Sequence, residues 1–581
     1  MIDYAIELGH KVVAITDHES ISNAIKVEKY YKKIKEKNPD FKVILGNEIY
    51  LCRNGLTANN FDRNQDKYSH FVLLAKDAVG HQQIREISTR AWGRSYMYRG
   101  MRRVPTYYQD LIDIIKQNPG HVIGSTACLG GALPTQILKW RATQDSTLME
   151  KIKIWISQMQ SIFGEENFYF ELQPSKTQEQ TYVNRILIKL SEAMNIPYII
   201  TTDSHYLKKE DRSIHKAYLN AQNGDREVDD FYGTTYMMST EELESYMDLT
   251  EEEFQYAYQN IEKIGEMCED YSLQKSLKIP ELMWNNFPED KLTLGMYAKR
   301  IPMLMDFYNS EYEADRKLVW AIIDGIRTHE DLRCQEAYDE INSNLKTTWT
   351  SSEVNKARWS AYFLNLQKII DVCWDAGSIV GPGRGSGVGF ILLYVLGITQ
   401  INPLREKTRC FEWRFLNPER VSVLDVDFDI EGGRRGTVLN KFREVYGSDR
   451  VANVATFGTE KSKSAILTAA RGLGIDVDIA QYITSLIPSD RGQLRSLSEV
   501  FYGDEEKGFQ PIKQFVTEMT ENYPELWEVS RKIEGLVCRQ GIHAGGVIFV
   551  DEPFTNSTAL MRAPDGTICT QFDLHDCEDV S

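Results

Sequence analysis

The stretch Leu424-Asp425-Val426-Asp427-Phe428-Asp429-Ile430 alternates carboxylates with apolar residues at a period of two. On a β-strand, this period places the Asp side chains on one face and the apolar side chains on the other. Neighbouring side chains on one face of a strand lie about 7 Å apart, so the like charges repel unless a cation binds them. The stretch therefore predicts either a divalent-metal site or an exposed strand face whose charges prevent edge pairing.

A glycine-rich segment, Gly381-Pro382-Gly383-Arg384-Gly385-Ser386-Gly387-Val388-Gly389, lies upstream of these carboxylates. Glycines let a backbone approach a ligand closely and expose successive N–H groups, which suits a phosphate. The apolar residues 390–398 that follow predict a buried helix, whose N-terminal dipole would favour the same anion. The segment fits neither the Walker pattern nor G-x-G-x-x-G, and an ordinary turn is the alternative. Combined with the carboxylates, it favours metal-assisted chemistry on a nucleotide.

The chain of 581 residues is long enough for about three or four domains, and 42% hydrophobic residues allow large cores. Its nine cysteines are scattered singly, which is typical of reduced thiols in a cytosol. The sequence contains no secretory or membrane-spanning stretch, so we expect a cytoplasmic protein without a membrane partner.

The net charge of −17 argues mildly against binding to nucleic acid. Residues 432–472 are a local exception, because their basic residues outnumber Glu444, Asp449 and Glu460. This local excess of positive charge suits the binding of a polyanion. For any one of these residues, a solvated helix surface is the alternative. The basic residues are Arg434, Arg435, Lys441, Arg443, Arg450, Lys461, Lys463 and Arg471.

In the first third of the chain, short β-branched runs alternate with helical stretches, which predicts βα units and a parallel sheet or barrel. The expected strands are 12–16, 43–49, 71–75, 121–126, 168–172 and 198–202. Polar side chains gather at the strand ends, where the strands of a βα barrel converge on one site. Their types suit zinc, manganese or iron; for Asp17 taken alone, capping of the next helix is the favoured alternative. The candidates are Asp17, His18, Glu48, His70, Cys128, Asp203 and His205.

Together, these segments resemble the C-family of bacterial and phage replicative DNA polymerases, the alpha subunits of DNA polymerase III, over nearly the whole chain. The first third is similar to that family's polymerase-and-histidinol-phosphatase (PHP) domain. The remaining resemblance rests on the Gly-rich and Asp-rich segments and on Gly397-Ile398-Thr399, Arg414-Phe415-Leu416-Asn417-Pro418-Glu419-Arg420-Val421-Ser422, Thr456-Phe457-Gly458-Thr459, His543-Ala544-Gly545-Gly546-Val547 and Thr570-Gln571-Phe572-Asp573.

The resemblance implies a multidomain α/β fold. We expect a PHP (β/α) barrel at 1–275, a nucleotidyltransferase-like palm of the polymerase beta type at 276–431 and 511–581, and an α-helical thumb at 432–510. The implied activity is DNA-directed DNA polymerisation in DNA replication. The implied partners are primer-template DNA, dNTPs, the sliding clamp and the clamp loader.

The resemblance also assigns roles to individual residues. Asp425 and Asp427 would be catalytic ligands of Mg²⁺, with Asp429 nearby. The PHP candidates would hold Zn²⁺ or Mn²⁺ and support a 3′–5′ exonuclease. The residues implied to bind nucleotide are Arg384, Gly385, Ser386, Arg414 and Arg420, and those implied to bind DNA or phosphate are Lys463, Arg471 and His543. Structural ion pairs are the alternative for Arg414 and Arg420, and helix packing for His543, which we expect in a Gly-flanked turn.

Two departures from the family pattern concern the ends of the sequence. The family's third catalytic Asp follows the Gln-Phe-Asp segment, where Asp573, Asp576 and Asp579 are poor substitutes, and the His-x-His pair of PHP domains is absent upstream of Asp17. We therefore expect a piece of a longer polypeptide that polymerises poorly alone. Two rivals stay open: a hydrolase in which only the PHP site works, and an inert half that needs a separate C-terminal polymerase half.

Overall fold

The computed structural model describes residues 1–62, 65–223, 230–276, 278–406, 412–419, 426–490 and 492–580. Asp425 and Arg420 lie outside these ranges. The predicted division into PHP domain, two palm segments and thumb stays a prediction. By contacts between residues, the chain forms two compact units: unit 1 consists of Met1–Leu273, Ala455–His543 and Ala559–Asp573, and unit 2 of Gln274–Val454, Ala544–Thr558 and Leu574–Ser581.

Strands and helices occur along the whole described chain. The strands β1 to β15 are Val12–Ile15, Lys42–Cys52, Ser69–Ala75, Tyr96–Tyr98, Met101–Arg103, Pro105–Tyr107, Val122–Ser125, Phe168–Leu172, Tyr198–Ile200, Val451–Thr459, Ser489–Asp490, Gln493–Leu494, Val537–Phe549, Leu560–Arg562 and Ile568–Asp573. The helices α1 to α23 are Ile2–Glu7, Ala24–Lys35, Ala78–Gly93, Tyr108–Leu111, Ala132–Thr143, Ser146–Phe163, Gln178–Met194, Arg212–Asn223, Thr240–Tyr246, Glu251–Met267, Lys291–Ala298, Met303–Tyr308, Glu313–Thr328, Gln335–Asn355, Trp359–Asp375, Ile391–Val395, Arg435–Tyr446, Ser462–Leu473, Val477–Ser485, Leu497–Tyr502, Lys513–Thr517, Pro524–Ile533 and Leu574–Glu578.

The first part of unit 1 contains a seven-stranded mixed sheet that curls into a half-barrel. Its order is β1-β2-β3-β7-β8-β9, and β6 pairs with β2. Neighbouring strands are parallel, apart from β3, which is antiparallel to both β2 and β7. The expected strands are confirmed, but the expectation of an all-parallel sheet is wrong at β3. No α-helix lies between β2 and β3 in the described ranges, so the chain reverses there instead of making the crossover that a parallel pair requires.

Strand β8 and helix α7 show how local sequence builds this sheet. All positions of β8 are buried, as is typical of a strand covered on both faces. Helix α7 begins after Thr177, whose hydroxyl accepts the N–H of Gln180, and ends at Asn195 in the left-handed region with φ 55°. This ending returns the chain to the sheet as β9, directly before the predicted ligands Asp203 and His205.

The helices of residues 462–533 form a further apolar core in unit 1, together with Ile214, Ala217 and Tyr218 of α8. Gly472 allows α18 to approach α8 closely, because a Cβ added there would lie 1.9 Å from the Ala217 carbonyl oxygen. Residues 432–510 contain helices α17 to α20 and also strand β10, and the expectation of an α-helical thumb at these residues stays a prediction.

Unit 2 has an apolar core to which α13, α15 and α16 contribute. The predicted burial of residues 390–398 is confirmed for most of the run, but the helix is shorter than expected. It covers only Ile391–Val395, because Phe390 is extended and separates it from a 3₁₀ turn at Ser386–Gly389. A helix this short has a small dipole, so the dipole argument for anion binding loses most of its force.

The described part of the Asp-rich stretch is irregular backbone, so the expected strand is wrong for residues 426–429. The predicted two faces are nevertheless present. Val426, Phe428 and Ile430 pack against the core of unit 2. Asp427 and Asp429 keep side-chain exposures of 41% and 66%.

One further expectation is corrected, because His543 lies within strand β13 and not in a turn. Helices α9 and α10 are separate, and the hydroxyl of Thr250 caps the start of α10. Among the helices of the described chain, none combines the length and the apolar character needed to cross a membrane.

Candidate active sites

The PHP candidates in unit 1 come from adjacent strands of the curled sheet. Glu48 lies in β2 and faces the loop after β1 through a parallel bridge to His18. His70 lies in β3, two residues from the partner of Glu48 in the antiparallel register. Side chains two residues apart on a strand share a face, so this register turns the imidazole toward the carboxylate.

Three of these side chains form a compact group. His70 Nδ1 lies 2.6 Å from Glu48 Oε1, and His18 Nε2 lies 3.8 Å from Glu48 Oε2. One ligand atom from each residue lies within 4.8 Å of the others. Imidazole and carboxylate are the donors of zinc and manganese sites, so the group fits a divalent cation of this kind.

The pKa shifts of Glu48 and His18 favour binding of a cation by the same group. Burial alone would raise the pKa of Glu48, but the hydrogen bond from His70 holds that pKa below the usual value. Burial lowers the pKa of His18, against the opposing charge of Glu48. Both shifts favour the forms that bind metal, a carboxylate and a neutral imidazole.

Cys128 and Asp203 lie beside the compact group. Cys128 Sγ is 3.5 Å from His70 Nδ1, and burial raises the pKa of this thiol well above its usual value. Burial and then the charge of Glu48 raise the pKa of Asp203. A bound cation would counter both shifts, because it deprotonates a coordinating thiol and attracts a carboxylate.

His205 and Asp17 lie farther from the compact group. The His205 ring centre is 6.2 Å from that of His18, and its Nδ1 lies 2.8 Å from the backbone carbonyl oxygen of Asp203. Asp17 accepts a hydrogen bond of 2.9 Å from the side-chain amide of Asn23, the residue before helix α2. The structure thus pairs Asp17 with the residue before the next helix, but Asp17 does not cap that helix, because the bond comes from a side-chain amide and not from a backbone N–H.

Left-handed backbone occurs three times next to these candidates. The φ angles are 53° at Glu19, 56° at Ala127 and 46° at Asp203. Non-glycine residues adopt this region at a cost of about 1–3 kcal/mol each, and such strain concentrates at functional sites. These angles therefore support a functional role for the strand ends.

Sequence reasoning missed Tyr50 and Glu171. Tyr50 stacks on His18 with ring centres 5.6 Å apart. Glu171 is 5% exposed and accepts hydrogen bonds from the hydroxyls of Ser125, at 2.6 Å, and Thr201, at 2.5 Å. The signal was present for Glu171, because a carboxylate inside the apolar strand β8 needs partners on neighbouring strands.

In unit 2, Arg384 joins the two exposed carboxylates. Its Nη1 lies 2.8 Å from Asp427 Oδ2, and its Nε lies 3.4 Å from Asp429 Oδ1. The structure therefore brings the Gly-rich segment and the Asp-rich stretch together. Carboxylate oxygens are the ligands that Mg²⁺ prefers, so the pair fits that cation, with the guanidinium balancing the charge.

The Gly-rich loop lies directly against these carboxylates. Gly385 has φ 74° and precedes the 3₁₀ turn that begins at Ser386, and an added Cβ at Gly385 would lie 3.8 Å from Asp427 Oδ2. The amide of Gly381 donates to the carbonyl of Asp429 at 2.7 Å. A glycine is required at residue 385 because other residues rarely adopt this backbone region.

The other predicted nucleotide and DNA contacts are dispersed. Arg414 is in a 3₁₀ turn, Glu412–Arg414. Lys463 is half-buried in the first turn of α18. Arg471, in the last turn of α18, donates to the carbonyl of Ala221 at 3.3 Å, which is a packing contact. Their predicted roles stay predictions, as does that of His543.

Comparison with known proteins finds similarity along the whole chain. The family model described as "Bacterial DNA polymerase III alpha NTPase domain" matches residues 326–581, and that of the PHP domain matches residues 1–175. "Probable DNA polymerase YorL" of Bacillus subtilis (strain 168) is 39% identical over 602 residues, covering 100% of this chain and 46% of that relative. The same values hold for "DNA-directed DNA polymerase" of Bacillus phage SPbeta.

The chain belongs to the C-family of DNA polymerases. "DNA polymerase III subunit alpha" of Thermus aquaticus is 30% identical over 613 residues, covering 97% of this chain and 46% of the relative. The chain thus spans about half the length of the curated relatives it matches. The resemblance drawn from the sequence is confirmed. The residues that match the PHP domain include His18, Glu48, His70 and Cys128.

Proposed function

We propose that unit 2 carries a nucleotidyl-transfer centre of a DNA-directed DNA polymerase that acts in DNA replication. The observation that carries this proposal is the ion pairing of Arg384, a residue of the Gly-rich loop, with Asp427 and Asp429. A phosphate-binding loop beside paired carboxylates is the arrangement that phosphoryl transfer needs, because catalysis there depends on positioning and charge stabilisation.

In this proposal, each element of the loop has a defined task. The backbone N–H groups of Gly385 and Ser386 donate to the phosphates of a dNTP, and Arg384 leaves the carboxylates to form charge-assisted hydrogen bonds with those phosphates. Asp427, with Asp425, holds Mg²⁺. When bound, such cations activate the primer 3′ hydroxyl and stabilise the leaving pyrophosphate.

Equilibrium binding of a labelled dNTP in Mg²⁺ tests this centre without requiring turnover. We expect Asp427→Asn and Arg384→Ala each to weaken binding by about tenfold, because each removes one charge partner. Glu444→Gln, at an exposed position of α17, is the matched control. Unchanged binding in both site variants would exclude the proposed role of the loop.

Primer-template DNA is the proposed macromolecular partner, and primer extension tests it. The clamp, the clamp loader and a separate C-terminal polymerase half are proposed as further partners. Extension by this chain alone would show a complete centre. Extension only after a second polypeptide supplies the remaining length of the relatives would show complementation.

A second proposed function is 3′–5′ phosphodiester hydrolysis at the PHP site with Zn²⁺ or Mn²⁺. The carrying observation is the compact group of His18, Glu48 and His70. Water would attack the phosphorus and the bond from phosphorus to O3′ would break. A deoxynucleoside 5′-monophosphate would leave, and O3′ of the shortened strand would take up a proton that originates from the water, which gives a new 3′ hydroxyl. A 3′-labelled primer with Mn²⁺ and no dNTP tests this activity, with Glu48→Gln as the inactive variant and Glu150→Gln, exposed on α6, as the control.

A further inference from the structure

A cavity of about 330 Å³ lies in the PHP part of unit 1 and has no role in the proposals above. Leu129 and Thr202 line it, and they are the chain neighbours of the predicted ligands Cys128 and Asp203. Consecutive Cα atoms are about 3.8 Å apart, so two walls of the cavity begin one residue from the predicted metal ligands.

A third wall reaches the same ligand set through the backbone. Thr235 lines the cavity, and its carbonyl accepts the N–H of His205 at 2.8 Å. Three separate segments of chain therefore place this cavity beside the PHP site. A group bound in the cavity and a group bound at the PHP ligands could belong to one molecule.

The charged side chains of the lining disfavour a phosphate as the occupant. Among the described residues that line the cavity, none is Lys or Arg, and Glu179 contributes a carboxylate. Lys176 is close in sequence, but it donates to the carbonyl of Ser245 at 2.5 Å and lies over the ring of Tyr246. An anion in the cavity would meet a negative charge without a compensating cation.

The same lining suits an uncharged group with many hydrogen-bonding atoms. Gln173, Ser175 and Thr202 are uncharged polar residues of the lining, and Leu129 is an apolar one. A nucleobase and its deoxyribose need this combination of donors, acceptors and apolar contact. The volume is at the lower end of the range of ligand pockets, about 300–1,000 Å³, which fits one nucleoside and not an oligonucleotide.

We propose that this cavity binds the nucleoside part of a phosphate ester whose phosphate lies at the PHP ligands. The inference rests on the proposed phosphodiester hydrolysis, and it names the substrate as a nucleoside phosphate. Two sources share this chemistry: the 3′-terminal nucleotide of a DNA strand, and a free deoxynucleoside monophosphate.

Substitutions at Ser175 fill the cavity in graded steps. Ser175 is half-buried in the loop before α7, and its hydroxyl pairs with that of Thr177 at 2.9 Å. Ser175→Ala removes the hydroxyl without filling space, Ser175→Leu fills part of the cavity, and Ser175→Phe fills more. Ser146→Phe, at the exposed first position of α6, is the matched control for the bulky side chain.

Equilibrium dialysis of labelled dAMP against the full chain with Mn²⁺ measures the effect by binding alone. We expect Ser175→Phe to weaken dAMP binding by about tenfold and Ser175→Leu by about threefold, because the added groups occupy the nucleoside's space. Ser146→Phe and Ser175→Ala should stay within about twofold. Inorganic phosphate, the probe for the metal ligands alone, should bind equally to all variants. If thermal melting shows that Ser175→Phe does not fold, dAMP binding by Ser175→Leu is the deciding measurement.

The possible outcomes distinguish a failure of the cavity proposal from a failure of the proposed hydrolysis. If dAMP binding is unchanged in the folded Ser175 variants while the 3′-labelled primer is still degraded, the cavity proposal is overturned and hydrolysis stands. If dAMP binding falls in the graded order but no metal supports degradation, the cavity stands and hydrolysis is overturned. A defect of Ser175→Leu toward primer degradation assigns the DNA 3′ end as the source, and a defect toward dAMP alone assigns the free monophosphate.

Discussion

The two candidate centres of this chain are built in opposite ways. In unit 1, Glu48 is 5% exposed and is held by His70 at 2.6 Å. In unit 2, Asp427 and Arg384 keep side-chain exposures of 41% and 56% while they pair at 2.8 Å. A buried charge needs its partners at all times, whereas an exposed pair is screened and can exchange partners. The PHP site is therefore organised before a ligand arrives, and the loop of unit 2 can reorganise around a nucleotide.

The largest effect that we expect follows from removing the central carboxylate of the buried site. Glu48→Ala should weaken binding of Mn²⁺ or Zn²⁺ to unit 1 by about a hundredfold, because second-sphere changes alone cost 10–100-fold and this residue is a predicted ligand. Metal content after dialysis measures it. Asp427→Ala should leave that tightly bound metal in place; equal loss in the two variants would remove the contrast between the centres.

Cys128 tests how far the buried site extends beyond its three-residue group. Cys128→Ser should weaken metal binding by about tenfold, because a hydroxyl replaces a thiol 3.5 Å from His70 and soft thiolates favour zinc. Titration with Zn²⁺ and Mn²⁺ measures the change, which should be greater for Zn²⁺. Cys268→Ser, at another buried cysteine, is the control.

The pH dependence of stability should also reflect burial in unit 1. Burial raises the pKa of Glu171 above its usual value of 4.5. The contribution of the protonated Glu171 side chain to the free energy of unfolding is therefore fully present below pH 4.5 and is lost as the pH rises through the folded-state pKa. The Glu171→Gln variant cannot ionise at this position, so its melting temperature should fall less between pH 5 and pH 8. Thermal melting of the metal-free chain checks this, with Glu150→Gln as the control. An identical pH slope for Glu171→Gln and the unmodified chain would contradict the assignment.

The smallest effect is expected at the exposed pair. Arg384→Ala should change the free energy of unfolding by about 1 kcal/mol or less, because exposed ion pairs contribute little to stability. Urea denaturation measures it. A loss of several kcal/mol would mean that Arg384 holds the loop together and cannot leave the carboxylates for a nucleotide.

Strand positions in the PHP part could be predicted from β-branched runs alone, and all six expected strands are present. The direction of β3 could not be predicted in this way. An apolar run has the same pattern in either direction, and only pairing with β2 and β7 makes β3 antiparallel. The length of the helix after the Gly-rich loop was misjudged for a similar reason, since a short apolar run shows burial but not helix length.

For the sites, the residue types and their order along the chain were sufficient to select His18, Glu48 and His70. Their geometry was not predictable, because it depends on the register between β2 and β3. The sequence marks Glu171 as a carboxylate within an apolar strand, but its partners could not be predicted, because the hydroxyls come from β7 and from the residue after β9. The cavity beside Thr202 and Thr235 was invisible for the same reason, since its walls come from segments far apart in sequence.

The sequence by itself determined the family of this protein, the two sets of candidate ligands and the alternation of Asp427 and Asp429 with apolar residues. These properties depend on residue identity and short-range spacing, which a single chain displays directly. Only the tertiary structure decided that Arg384 links the loop to the carboxylates, that Asp17 pairs with Asn23, and that a cavity adjoins the PHP ligands. Such features arise where separate segments meet, and burial and packing in three dimensions set the distances there.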